Sequence, residues 1–225
     1  MSQLHYMLLA GGMGLLWGWL LSIPVGPINL TIINEGTQRG FKWAVLIGLG
    51  ASAMEVIYCA LAFTGFAAFF QEGYVQAIME LGSFVFMLGL GILLLLKPPP
   101  TAQPAGGRFE QKFHPSSAFM IGFVRVMGNF GVFLFWFVLA SSFISHNWVR
   151  PVWADKAACV AGVALGTSTW FIGLSWAVSL GHRKFSDKTL WRMQKGSGFG
   201  LLGLGLIHGA QIVVEMVHHH HNHLR

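Results

Sequence analysis

Apolar runs of about twenty residues or more recur along nearly the whole of this 225-residue chain, separated only by shorter polar segments. As a helix rising about 1.5 Å per residue, each can cross the roughly 30 Å hydrocarbon core of a bilayer. Within that core every backbone N–H and C=O must be satisfied by the protein itself, so runs of this length read as helices. Charged residues make up 10% of the sequence and hydrophobic ones 54%, with a mean hydropathy of +0.61. A soluble domain carries roughly a quarter charged residues. The net charge of +6 does not point to nucleic acid, because the basic residues concentrate in loops between the apolar runs. The chain reads as an all-α integral membrane protein with almost no soluble part.

The runs predict six transmembrane helices, over 5–34, 42–69, 75–97, 117–144, 154–180 and 196–217. Between the third and fourth lies Lys97-Pro-Pro-Pro-Thr-Ala-Gln-Pro-Ala-Gly-Gly-Arg108, a Pro/Gly-rich linker. It divides the chain into a first three-helix repeat (1–97), a cytoplasmic linker (98–116), a second three-helix repeat (117–217) and a His-rich tail (218–225). One set of loops carries Arg39, Lys42, Lys97, Arg108, Lys112, Arg183, Lys184, Lys188, Arg192 and Lys195, and the other only Arg150, Lys156 and Arg225. The positive-inside rule then puts both termini on the non-cytoplasmic side of the cell (inner) membrane. Trp43, Trp148, Trp153 and Trp191 fall near span ends, where indoles favour the interface. No Lys or Arg precedes the first run and no clear cleavage site follows it, so it reads as a retained helix rather than a signal peptide.

The two halves resemble each other. Gly82-Ser-Phe-Val-Phe-Met-Leu-Gly-Leu-Gly-Ile92 in span three and Gly196-Ser-Gly-Phe-Gly-Leu-Leu-Gly-Leu-Gly-Leu206 in span six share a Gly-Ser start and a later Gly-Leu-Gly. Span two offers Gly48 and Gly50, and span five offers Gly162 and Gly166. With three spans per half, the second half must insert upside down relative to the first. The expectation is a 3+3 inverted-topology repeat. Glycine is also common wherever membrane helices pack closely, which is the plainer reading of the same residues. Glycine-rich faces such as Gly196–Gly205 can pack helices within one protomer or between copies in a homo-oligomer.

Span one is interrupted. Pro24-Val-Gly-Pro27 deletes two backbone donors, and the proline rings clash with carbonyls one turn earlier. A broken helix survives in a membrane only where it is buried in protein or lines a wet cavity, and secondary transporters build substrate sites from such breaks. Pro24, Gly26, Pro27 and Asn29 are therefore candidate substrate-binding residues. The repeat predicts a counterpart in span four, at Arg125-Val-Met-Gly-Asn-Phe-Gly131. Arg125, Gly128 and Asn129 join the candidates. With no proline there, the second break is expected to be softer.

Ionisable residues within spans are costly and mark pathways. Glu55 lies deep in span two with no basic residue within a helical turn. It can carry a coupling proton or meet a cationic substrate group, and its plainer role is a protonated carboxyl bonded to a neighbouring helix. Arg125 can meet a substrate carboxylate, pair with Glu55, or snorkel to the interface. Asn34 and Glu35 read as interfacial. His208 reads as a packed histidine. His218, His219, His220, His221 and His223 in the tail form a possible weak metal site, or a tail without a role in transport. Cys59 and Cys159 both lie in apolar runs and suggest neither a disulfide framework nor a zinc site. No nucleophile elbow, P-loop or His-Glu-x-x-His occurs, so the chain does not read as an enzyme, and no cofactor is implied. Without a nucleotide site, a transporter of this kind runs on an ion gradient.

Pro24-Val-Gly-Pro-Ile-Asn29, then Gly36, Arg39-Gly40 and Gly48-Leu-Gly50-Ala-Ser-Ala-Met-Glu55, resembles the signature of LysE-type translocators, the LysE/RhtB amino-acid exporters. The resemblance covers length, span number and basic loops, and is weaker in the second half. Family members typically have an acidic residue, often Asp, where this chain has Glu55, and Asn-Pro where it has Asn129-Phe130. The resemblance implies export of amino acids or similar small metabolites from the cytoplasm, coupled to inward proton movement. The wider superfamily also includes metal-ion exporters and thiol–disulfide electron carriers. The alternatives are therefore a divalent metal exporter using the tail histidines, or an electron carrier using Cys59 and Cys159.

Overall fold

The computed structural model describes residues 3–23, 26–65, 73–96 and 117–180, together with parts of the stretch from 188 to 210. Regular structure among them is helical throughout: α1 (Gln3–Ser22), α2 (Pro27–Arg39), α3 (Phe41–Gly65), α4 (Gly73–Leu96), α5 (Ala118–Met127), α6 (Phe130–Ser145) and α7 (Trp153–Leu180). The described parts of 188–210 are helical as well. Three of the described helices, α1, α3 and α7, are long and apolar enough to cross a membrane, and α5 with α6 makes a fourth candidate, bent by 68° at its break. Pro24, His208, the Lys97–Arg108 linker and the histidine tail lie outside the described residues.

Local chemistry sets the helix ends. Pro27 sits at the start of α2, where its missing N–H costs nothing. Gly40, at φ +86°, stops α2 in a backbone conformation that favours glycine, and its N–H closes onto Gly36 O. Ser117 caps α5 by accepting from the Met120 N–H at 3.2 Å. The first span is longer than the sequence suggested, since α2 runs on to Arg39 rather than ending near residue 34.

Small residues bring the helix backbones together, as expected where lipid offers no hydrophobic drive and close packing must hold the spans. α1 lies against α7 with Gly14 facing the Cys159 backbone, Gly18 facing Val163, and Gly162 and Gly166 facing Gly11 and Leu15. Contacts advance in the same direction along both helices, so α1 and α7 run parallel. α3 meets α5 equally tightly, Gly50 against Phe119 and Gly122 against Ile47. α3 and α7 are antiparallel: Gly48 faces Phe171, Ser52 meets Thr167, and Phe63 meets Lys156. α3 also packs on α2 and α6, and is more enclosed than α1 or α7. It is the hub on which both interrupted spans converge. α4 lies against α6 and against the last helical segment, where Gly91 meets Leu202 and Gly209 meets Phe84.

Candidate functional site

Two breaks face each other beside α3. The first separates α1 from α2 at residues 23–26. Asn29, fully buried, donates from Nδ2 to Ser22 O at 2.8 Å and so satisfies a carbonyl at the end of α1. Trp170 of α7 donates from Nε1 to Asn29 Oδ1 at 3.4 Å. Thr31 donates to Pro27 O at 2.7 Å, and Ser22 donates to Gly18 O at 2.8 Å. The first break is thus held mostly by side chains next to it in sequence. Gly26 is its extended N-cap residue.

The second break falls at Gly128 and Asn129, one α5 length, about 15 Å, from the start of that helix. Here α5 and α6 are bent by 68° without a proline. Gly128 keeps helical angles, but Asn129 at φ −100°, ψ 85° leaves the helix and turns the chain. Asn129 is exposed and makes no side-chain cap bond to α6. Its amide therefore does not cap the opened helix. That task falls partly to Tyr58 of α3, whose hydroxyl donates to Met127 O at 2.8 Å.

Arg125 links the breaks. From α5 it donates through Nη1 to Thr31 Oγ1 and to Pro27 O at 3.4 Å, so a cation from the second half sits on the opened end of the first. Glu55 is buried, 6% exposed, and its carboxylate partner is the Trp136 indole of α6. Below it on α3, Ser52 bonds Thr167 Oγ1 at 2.5 Å and Ser168 Oγ at 2.9 Å. Above it, Cys59 and Cys159 form a buried thiol pair across α3 and α7. Glu35 pairs with Arg39 at 3.0 Å near the end of α2, in keeping with an interfacial role.

The structure brings Gly26, Pro27, Asn29, Arg125, Gly128 and Asn129 to one region, with Glu55 on the helix between the two breaks. Thr31, Tyr58, Trp136 and Trp170 were not singled out from the sequence. Thr31, four residues after Pro27, and Tyr58, three after Glu55, were available from helical spacing. Trp136 and Trp170 come from other helices and left no local signal.

The chain matches the model of the LysE type translocator family over residues 19–209. It is 24% identical to a putative amino acid efflux protein, YcgF, of Bacillus subtilis over 202 residues, 89% of this chain and 95% of the relative. It is also 24% identical over 195 residues to a chemotactic transduction protein, ChpE, of Pseudomonas aeruginosa, covering 85% and 92% of the two chains. The arginine exporter ArgO of Shigella flexneri is 32% identical over 79 residues, 35% of this chain and 36% of that one. No solved structure matches it. This polytopic membrane protein belongs to the LysE type translocator family.

Proposed function

We propose that the chain exports amino acids or related small metabolites from the cytoplasm, driven by protons moving inward. The observation that carries the reading is the Arg125 bridge to Thr31 and Pro27 O, which ties two facing helix breaks together beside a buried carboxyl. Opened backbone and amides at such breaks suit the ammonium and carboxylate of an amino acid. Arg125 would take the substrate carboxylate in exchange for its bonds to the first break. Glu55 would carry the coupling proton. The efflux and exporter names of two relatives support the substrate class.

In this reading the protein has six spans arranged as a 3+3 inverted repeat, with both termini outside the inner membrane and residues 98–116 in the cytoplasm. The parallel contacts of α1 with α7, and of α3 with α5, where Gly50 meets Phe119 and Tyr58 meets Met127, support it, because an inverted repeat maps one pair onto the other. Rocking of one repeat against the other would alternate access.

Untargeted metabolite profiling of the medium, from cells with and without the chain, tests the substrate class. Selective loss of one or more amino acids from the cytoplasm supports it. Arginine is the first probe for reconstituted vesicles with an imposed pH gradient. Export that ignores the gradient would remove proton coupling.

A further inference from the structure

Glu55 and Tyr58 are three residues apart on one face of α3: Glu55 grips only α6, whereas Tyr58 touches both arms of the second break. Tyr58 donates to Met127 O, the last carbonyl region of α5, and packs edge-on against Phe133 of α6 at 5.3 Å. Glu55 takes the indole N–H of Trp136, which is 1% exposed and lies six residues past Phe130, where α6 begins. Between the two handles the chain bends by 68° over Gly128 and Asn129. Neither residue of that hinge is buried; its turn closes through Asn129 N–H to Val126 O and Val132 N–H to Asn129 O, and α3 grips its two arms.

We propose that Trp136 is a positioning residue that makes the bend of the α5–α6 span follow the proton on Glu55, with Tyr58 as the fixed tether on the other arm. The inference rests on the reading of Glu55 as the proton carrier. A carboxylate accepts the indole proton in a charge-assisted bond, roughly twice as strong as the bond a neutral carboxyl accepts. Loading Glu55 therefore loosens α6 while Tyr58 still holds α5. Because α5 also carries Arg125 to Thr31 and Pro27 O, movement at the hinge is passed to the first break.

Other titratable groups around α3 are accounted for. Lys42, Tyr58 and Cys59 lie on α3 itself, Lys42 near its start, and Cys159 faces Cys59 from α7. Lys156 bonds Phe63 O two turns farther out, next to Asp155, which pairs with Arg150. Arg125 of α5 is engaged at the first break, and Glu35 and Arg39 pair on α2. α6 contains no Asp, Glu, Lys, Arg or His.

Spin labels at Met120→Cys on α5 and Asn147→Cys just beyond α6, both exposed positions, report the bend in the full chain in lipid. A Cys59→Ala/Cys159→Ala background removes the two thiols nearest Glu55. The label distance should change with pH in this parent and stay constant in Glu55→Gln. In Trp136→Phe the pH response should be lost, and Trp136→Tyr, which keeps a ring and a donor, should restore part of it. Tyr58→Phe should broaden the distances at every pH. A Trp136→Phe response equal to the parent's overturns the proposal, as does a parent whose distance ignores pH. Amino-acid efflux by the same variants separates the two readings. A pH-blind hinge in an active exporter sinks only the hinge device, whereas a responsive hinge without efflux sinks only the exporter reading.

Discussion

The two breaks solve one problem by opposite means. At the first, Pro27 opens α2 and neighbours in sequence satisfy the exposed groups: Asn29 on Ser22 O, and Thr31 on Pro27 O. At the second, no proline acts, and the exposed Gly128 and Asn129 bend sharply between arms that α3 holds through Tyr58 and Glu55. The first break is satisfied largely by its own neighbours, with Arg125 and Trp170 added from other helices. A break held by tertiary contacts can respond to whatever changes those contacts, and Glu55 supplies such a change. The difference makes the first break the better candidate for a fixed wall and the second for the moving element.

The sharpest way to break this comparison is Glu55→Gln. It should abolish proton-driven efflux while leaving folding intact, and wild-type efflux by that variant would exclude Glu55 from the mechanism. Next in size is Gly122→Leu, at a site where even a Cβ meets the Ile47 and Ala51 backbone. Forcing α3 from α5 there should cost about 1–3 kcal/mol or more, read as lost thermal stability in detergent. Gly173→Ala, with open space around it, serves as the control and should change little.

Asn29→Ala leaves Ser22 O buried without its amide and should cost about 1–3 kcal/mol. Asn129→Ala, which removes an exposed side chain that caps nothing, should stay within about 0.5 kcal/mol on the same thermal measurement. Equal losses at the two asparagines would erase the distinction between the breaks. The smallest effect is expected from deleting residues 218–225. Amino-acid efflux should be unchanged, and a selective fall in metal tolerance would instead favour the metal-export alternative.

Much of this was legible in the sequence because the bilayer makes the rules strict. Apolar length alone marks the spans, and Pro24-Val-Gly-Pro27 marks an interruption wherever it is placed, since a proline deletes its donor in any context. The same local chemistry singled out Asn29 and Glu55. The second break is legible from Gly128 and Asn129, but its 68° bend is not. Proline content does not measure the bend, which engages Tyr58 and Trp136, whose partners Met127 and Glu55 lie 69 and 81 positions away in sequence.

What the sequence determined by itself is therefore the class of molecule, the position of both interruptions and the family signature. Those rest on composition, spacing and the backbone limits of single residues. The partner of Glu55, the tether on Met127 O and the reach of Arg125 across to Thr31 were decided only by the tertiary structure. Each joins groups on different helices, and which faces of those helices meet depends on how Gly50 and Gly122, and Gly14 and Gly162, let the backbones approach.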